Sequence, residues 1–383
     1  MKILILNYEW PPLGGGGGPV AEGLARGYVE AGHEVRVISM RYRGQPKIEE
    51  RHGFEIRRVR CLRRRMETCQ THEMISYVVS ALIPAIAMCR SWRPEVIHCH
   101  FAVPTGLLAM LVHWATRVPY VVTIHGSDLP GYNPDRFTLM HNITPPLLRL
   151  ILGNASRVVS PSAFLSSHAS RYVGERHCEF IPNSIDCSSF SPGSSERTES
   201  VLMCGRLLRR KGFLEVLEAL ESAPPGLHVH IAGDGPERKE LEAASAKLRC
   251  RVIFHGWLES GSEEIQRLYA NCSIFCLPSE RENASVALLE AMASGMAIIT
   301  SNTTGCAETI GDAGIVVSPR NVAEIRNALE GLLGNPARVA ELGQAARSRA
   351  EKVYDQRVCV ARYLDVLRAC AETRKHGSGT RRR

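Results

Sequence analysis

The stretch Cys276-Leu-Pro-Ser-Glu-Arg-Glu-Asn-Ala-Ser-Val-Ala-Leu-Leu-Glu-Ala-Met-Ala-Ser-Gly-Met-Ala-Ile-Ile-Thr300 decides how this chain reads. The apolar run from Ser273 to Leu277 predicts a buried strand, and Pro278 to Ala284 a polar loop. Ser285 to Ser294 predicts a helix closed by Gly295, and Met296 to Thr300 a second buried strand. Strand, helix and strand without apolar–polar alternation make a βαβ unit of a parallel sheet covered on both faces. The expected class is therefore α/β.

The helix in that stretch is apolar on nearly every face, through Val286, Ala287, Leu288, Leu289, Ala291, Met292 and Ala293. Its single charge is Glu290. A carboxylate on such a helix is costly unless something hydrogen-bonds it. Glu282 stands in the loop before it, and the N–H groups of Asn283, Ala284, Ser285 and Val286 lie between the two acids. A helix N-terminus is a ready anion site. An anion held between two carboxylates that accept from hydroxyls suits a sugar nucleotide, with the sugar at the mouth, diphosphate on the N–H groups and ribose further in. The plainer reading is a capped core helix whose Glu290 is simply paired, and the remaining motifs weigh against it.

With 383 residues, 44% of them hydrophobic and 22% charged, the chain reads as a soluble globular protein of two domains. Thirteen cysteines are scattered without a Cys-x-x-Cys pair, which argues for reduced thiols in a cytoplasm and against zinc. Met1-Lys-Ile-Leu-Ile-Leu runs straight into a strand and does not read as a signal peptide. The longest apolar run, Met74 to Cys89, contains Pro84 and is expected to fall short of a membrane span. Of the net charge of +8, most lies in residues 1–190, which hold 21 Lys and Arg against 15 Asp and Glu. That asymmetry implies a partner surface on the first half.

In chain order, Lys2 to Asn7 predicts a first strand, and Tyr8 to Gly18 a loop containing Gly15, Gly16 and Gly17. Pro19 is expected to open a helix through Ala31, followed by a strand from Glu34 to Ser39, which is a Rossmann-like start. The glycines do not fit G-x-G-x-x-G, no acid ends the second strand, and no P-loop occurs, so neither nicotinamide binding nor P-loop hydrolysis is expected. What five glycines allow is close approach of a ligand to the backbone. A strand from Phe54 to Arg60 leads into Arg57, Arg58, Arg60, Arg63, Arg64 and Arg65, and an amphipathic helix from Glu73 to Arg90 follows. An arginine cluster beside an apolar helix fits an anionic membrane surface as well as a solvated face. It lacks interleaved aromatics and any nucleic-acid motif, so no nucleic-acid partner is expected.

Further strands are expected at Glu95–Cys99, Tyr120–Ile124, Arg157–Ser160 and Glu179–Ile181, with a helix from Pro104 and another at Ala163–Arg171. The strand ending at Ile124 opens into His125-Gly-Ser-Asp128, and ligands gather at such strand ends. Pro182 to Glu199, rich in Ser, Pro and Gly, reads as a linker. A second α/β unit starts with Val201-Leu-Met-Cys-Gly-Arg206, followed by Lys211-Gly. Arg206 offers a fork for phosphate oxygens and Lys211 a point charge. Strands at His228–Ala232 and Val252–His255 lead into Gly233-Asp-Gly-Pro-Glu237 and Gly256-Trp257-Leu258. Val316–Val317 gives a last short strand, three helices run from Val322 to about Cys370, and the basic tail 373–383 is expected to be disordered.

These motifs, in this order, resemble the family 4 retaining glycosyltransferases of the GT-B fold (glycosyltransferase group 1). The residues that carry the resemblance are Gly14–Gly18, His125-Gly-Ser-Asp128, Pro182-Asn-Ser-Ile-Asp186 with Phe190, Gly205-Arg206 with Lys211, Ala232-Gly-Asp-Gly-Pro-Glu237, Gly256-Trp-Leu258 and Glu282-x₇-Glu290. The resemblance implies two Rossmann-like domains facing each other across a cleft. The acceptor domain would be 1–182, the donor domain 183–354, and a helix at 355–372 would cross back to the first. It implies that Arg206 and Lys211 hold the donor diphosphate, Glu290 the ribose hydroxyls and Glu282 the donor sugar. Gly233 and the backbone at Asn283–Val286 complete the donor site, and Trp257 and Leu258 lie near the base. His125, Asp128 and the turn at Gly15–Gly17 face the reacting centre, with His125, Glu282, Arg206 and Lys211 as the catalytic set. Many members have Gly-Phe after the first Glu, where this chain has Asn283 and Ala284, so the donor sugar is left open.

The implied reaction moves a hexose or N-acetylhexosamine from a nucleotide-diphosphate sugar to a hydroxyl acceptor, a glycan precursor or lipid-linked saccharide, with no cofactor. No Asp-x-Asp pair is present, so no metal is expected. The expected location is cytoplasmic, at the inner face of the plasma membrane with peripheral membrane contact. Alternatives are another GT-B activity, such as a nucleotide-sugar epimerase or an inverting transferase, and a non-catalytic membrane-associated scaffold with a relic site.

Overall fold

A computed structural model describes residues 1–14, 16–66, 68–130, 145–173, 178–191, 197–259 and 261–379. The chain divides into two compact units, Met1–Asn183 joined by the chain from Gln356 onward, and Ser184–Asp355.

The described strands of the first unit are β1 (Lys2–Leu6), β2 (Glu34–Arg41), β3 (Ile48–Arg51), β4 (Phe54–Arg60), β5 (Val96–His100), β6 (Tyr120–Thr123), β7 (Arg157–Ser160) and β8 (Cys178–Phe180). They form one sheet in the order β3-β4-β2-β1-β5-β6-β7-β8, parallel except where β3 pairs with β4. The strand β3 is absent from the sequence expectation, because Ile48-Glu-Glu-Arg51 carries no apolar run. It is an edge hairpin partner, exposed at three of its four positions.

The first helix spans Gly17–Glu30 and so begins two residues before Pro19, which lies in the first turn where a missing N–H costs nothing. A second spans Thr71–Ser91, two residues earlier than expected, because the Glu73 carboxylate accepts the Gln70 N–H and closes a capping box. At 21 residues it is long and apolar enough to cross a membrane, which corrects the expectation from its apolar run alone. Tyr77, Ala81, Ala85 and Met88 nevertheless sit in the core of this unit, and the Tyr77 hydroxyl donates to the Ile38 carbonyl at 2.9 Å. The segment Ala102–Gly106 turns the chain into the helix Leu107–Thr116, with Val103 extended and the Gly106 N–H donating to the Phe101 carbonyl at 3.0 Å.

The last helix, Gln356–Gly379, lies against Gly17–Glu30, where a Cβ on Gly27 would stand 2.3 Å from Val360 Cγ2. Residues 373–379, expected to be disordered, continue that helix. Ala371-Glu-Thr-Arg-Lys375 is a run of largely favourable helix formers that extends an existing nucleus.

The second unit contains β9 (Thr198–Cys204), β10 (His228–Ala232), β11 (Arg251–Gly256), β12 (Cys272–Leu277), β13 (Ala297–Ser301) and β14 (Ile315–Val317). All are parallel, in the order β11-β10-β9-β12-β13-β14. Each sheet grows outward in one direction from its first strand and then resumes on the other side. The order therefore reverses between β9 and β12 here, and between β1 and β5 in the first unit. Connections leaving two such strands pass to opposite faces and open a crevice at their C-terminal ends. All thirteen cysteines are free thiols.

Candidate active site

In the second unit the predicted donor residues converge on that reversal. β9 leads into Gly205, whose N–H donates to the Ala232 carbonyl of β10 at 2.9 Å. The Gly233 N–H in turn donates to the Gly256 carbonyl at 2.7 Å, so three glycines stand in line across the ends of β9, β10 and β11. No side chain fits there, since a Cβ on Gly233 would lie 1.9 Å from the Gly205 oxygen. Arg206 follows as an exposed residue, and Trp257 is 55% exposed beyond Gly256, with Leu258 half-buried.

Lys211 closes the short 3₁₀ turn Arg209–Lys211, and its Nζ comes within 3.8 Å of where a Cβ on Gly205 would stand. Its ammonium donates to the Glu282 carboxylate, and both side chains are largely buried. The loop carrying Glu282 is braced from both neighbours. The Glu280 N–H donates to Arg210 C=O at 2.8 Å, and the Ser301 hydroxyl donates to Ser279 C=O at 2.6 Å. The Gly305 N–H donates to Glu282 C=O at 2.9 Å.

The helix after this loop runs Val286–Ala293, capped by the Ser285 hydroxyl, which accepts the Leu288 N–H. Asn283, Ala284 and Ser285 lead into its first turn, where Val286 and Ala287 amides lack intrahelical acceptors by geometry. Glu290 sits one turn further in, 5% exposed, and accepts the Tyr269 hydroxyl at 2.8 Å. The paired carboxylate that the plainer reading required is therefore present. A carboxylate has about four lone-pair positions, so one tyrosine does not exhaust it. Burial and then the Glu290 charge push the neighbouring Cys204 thiol up to about 12, which leaves it protonated and no nucleophile.

In the first unit, His125 and Asp128 follow β6. Asp128 is buried, and its two oxygens accept the His125 N–H at 3.0 Å and the Ala102 N–H at 2.6 Å. It pins the turn after β6 to the turn after β5. Desolvation raises its pKa against those backbone hydrogen bonds. The His125 ring lies 4.4 Å from Phe101 and shares a 3.1 Å hydrogen bond, Nε2 to Nδ1, with His100. Burial pulls His125 down to about 4, so the ring is neutral near neutral pH. Gly17 reaches the same place, since a Cβ there would stand 2.6 Å from Phe101 Cζ. Gly16 is the N-cap of the first helix, and Gly15 lies outside the described residues.

Sequence reasoning missed the residues that support these groups. Tyr269 is 21 positions from Glu290, on another helix, and nothing local links the two. His100 and Phe101 lie just past the expected strand Glu95–Cys99 and carried no reading of their own. The signal that could have found His100 is the His98-Cys-His100 alternation, which puts both imidazoles on one face of β5. Among the described residues no group of three or more His, Cys, Asp and Glu is placed to hold a metal ion.

Two family descriptions match consecutive parts of the chain. "Glycosyltransferase Family 4" covers residues 14–189 and "Glycosyl transferases group 1" covers 185–349. The chain is 26% identical over 385 residues to a glycogen synthase of Mycobacterium tuberculosis, covering 93% of this chain and 91% of that one. Its fold matches sucrose-phosphate synthase of Thermosynechococcus elongatus with a TM-score of 0.79 at 19% identity, over 96% of this chain and 99% of the other. It also matches Anabaena HepE in complex with UDP-glucose, with a TM-score of 0.72 at 18% identity, over 96% and 100% of the two chains. With both of its α/β units accounted for in that way, the chain belongs to the family 4, group 1 glycosyltransferases, nucleotide-sugar enzymes of the GT-B fold.

Proposed function

We propose that this protein transfers a hexose or N-acetylhexosamine from a nucleoside-diphosphate sugar to a hydroxyl of a glycan precursor or lipid-linked saccharide, retaining the anomeric configuration, at the cytoplasmic face of a membrane. The observation that carries the reading is the Lys211–Glu282 pair, held beside Gly205 at the strand-order reversal of the second unit. An ammonium has three donors, so Lys211 can keep Glu282 and still reach diphosphate oxygens. Arg206 and the first-turn amides of Val286–Ala293 add donors to the same anion. Glu290 accepts from the ribose hydroxyls, Glu282 from the donor sugar, and the exposed Trp257 with Leu258 covers the base. Gly233 gives the backbone room to approach. His125 and the Gly16–Gly17 turn of the first unit receive the acceptor, with Asp128 as a positioning residue.

Charge develops on the diphosphate as the glycosidic bond breaks. Arg206, Lys211 and the helix amides stabilise it with preorganised donors, without routing the step through a metal. The His125 ring, kept neutral, offers a hydrogen bond rather than a second positive charge.

A thermal-shift panel of UDP, GDP, ADP and their sugar conjugates, with and without magnesium, tests the donor site. One nucleotide should raise the midpoint independently of magnesium. Lys211→Ala should then lower transfer roughly 100-fold or more, the order of a lost transition-state donor. A panel with no shift, or a Lys211→Ala enzyme turning over at the wild-type rate, would refute the assignment.

A further inference from the structure

The first unit carries a surface that the donor chemistry does not use. Along the outer side of the Thr71–Ser91 helix, Ile75, Val79 and Ile83 are 60%, 70% and 76% exposed. Steps of four residues place them in one row, roughly 12 Å long at 1.5 Å per residue. Leu62 is 63% exposed, and its N–H donates to Ser76 Oγ at 3.0 Å, so it adjoins the Ile75 end of that row. A soluble core does not need this row, because the opposite side of the same helix already fills it.

Next to Leu62 is a pocket of about 510 Å³ lined by Arg41, Arg43, Arg60, Arg63 and Arg64, with no acidic residue in its wall. Arg63 is buried and serves as a brace, donating from Nε to Arg65 C=O and from Nη2 to Met66 C=O. Arg43, Arg60 and Arg64 are exposed, and among the described residues no ion pair ties their guanidinium groups to a carboxylate. The Arg64 N–H donates to Glu73 at 2.8 Å, which fixes this arginine segment against the first turn of the helix.

We infer that this face is a docking site for an anionic phospholipid bilayer, with a lipid phosphate in the arginine-lined pocket and the Ile75–Val79–Ile83 row in the acyl boundary. Charge complementarity names an anionic occupant. The apolar row narrows it, since neither a free phosphate nor a nucleic acid would cover aliphatic side chains, whereas a lipid surface satisfies both at once. The inference rests on the membrane placement proposed above and deepens it; its residues belong to the first unit alone, so it can fail while the donor reading stands, and the reverse.

The test is co-sedimentation of the full chain with phosphatidylcholine vesicles, with and without phosphatidylglycerol. The expected result is pelleting with the anionic vesicles only, weakened by salt. Arg60→Ala combined with Arg64→Ala should reduce partitioning about 30-fold, from roughly fivefold per basic residue near an anionic surface. Val79→Asp combined with Ile83→Asp should abolish it with every arginine in place. Both positions are exposed, so circular dichroism and the thermal midpoint should stay at wild-type values. Equal pelleting with neutral vesicles, or no pelleting, overturns the proposal. So does full binding by the Val79→Asp, Ile83→Asp protein, and so does displacement from vesicles by inorganic phosphate or a short DNA duplex, which would make the pocket a site for soluble polyanions.

Discussion

Glu290 shows what a single residue meant before and after folding. Its place on an apolar helix announced that something must hold its carboxylate, and the number of turns from Glu282 suggested a ribose. What holds it in the folded protein is the Tyr269 hydroxyl at 2.8 Å, from a helix whose position depends on the whole second sheet. Tyr269→Phe keeps the ring and removes the donor, leaving a buried carboxylate one partner short. The expected cost is about 1–3 kcal/mol in urea denaturation. An unchanged midpoint would mean that Glu290 has partners enough without it. At this scale Lys211, Glu282 and His125 were legible because their motifs stand at strand ends. Tyr269 and Phe101 were not, because their supporting contacts leave no mark in the sequence near either partner, and His100 left only the alternation with His98.

Among the elements, the ends of β9, β10 and β11 are the demanding ones. Gly205, Gly233 and Gly256 sit at φ of +150°, +143° and +70°, and the first two are packed backbone to backbone. Gly233→Ala should therefore lower the thermal midpoint and erase the nucleotide-induced shift, because the Gly205 turn that carries Arg206 must move. The control is Gly331→Ala in the helix Val322–Leu332, where a Cβ would meet nothing within 4 Å. That change should stabilise by about 0.5–1 kcal/mol through helix propensity. If Gly233→Ala binds nucleotide as the wild type does, the glycine row is not what shapes the site. Strands with continuous apolar runs were readable to within two or three residues. The edge strand β3 was not, since it carries no apolar run, three of its four side chains face water, and the fourth, Glu49, pairs with Arg58 of β4 at 2.9 Å. The start of the Thr71–Ser91 helix was set by a capping box rather than by its apolar run.

Across the whole molecule, buried imidazoles couple folding to pH. Burial lowers His98 to about 3 and His125 and His230 to about 4, the last with help from His255 stacked 5.2 Å away. Each folds neutral. Below an ordinary value of about 6.5 the unfolded chain takes up protons that the folded chain refuses. Stability is therefore fully present above that pH and is lost as pH falls toward 4, by up to about 1.4 kcal/mol per pH unit for the buried His98 and His125 and by less for the half-buried, solvent-screened His230. Asp128, whose pKa burial raises, takes its proton earlier than in the unfolded chain and offsets part of the loss at the acid end. His98 and His125 belong to one unit and His230 to the other, so urea midpoints of both should fall between about pH 7 and about pH 5. Midpoints that stay level over that range would show these rings to be solvated in solution.

The sequence by itself determined that the chain folds as two parallel α/β units and which residues stand at their strand ends. Those properties follow from local causes: apolar runs that must be covered on both faces, glycines where backbone approaches backbone, and turns that punctuate them. Only the tertiary structure decided which strand ends lie side by side. The order β11-β10-β9-β12-β13-β14 brings Lys211 to Glu282 across 71 positions of chain. In the other unit, adjacency of β5 and β6 seats His100 against His125. The same holds for the arginines from β2 and from the segment after β4, which share one pocket because those strands are neighbours in the sheet. Such pairings depend on the packing free energy of the whole sheet, and no short window of residues carries it.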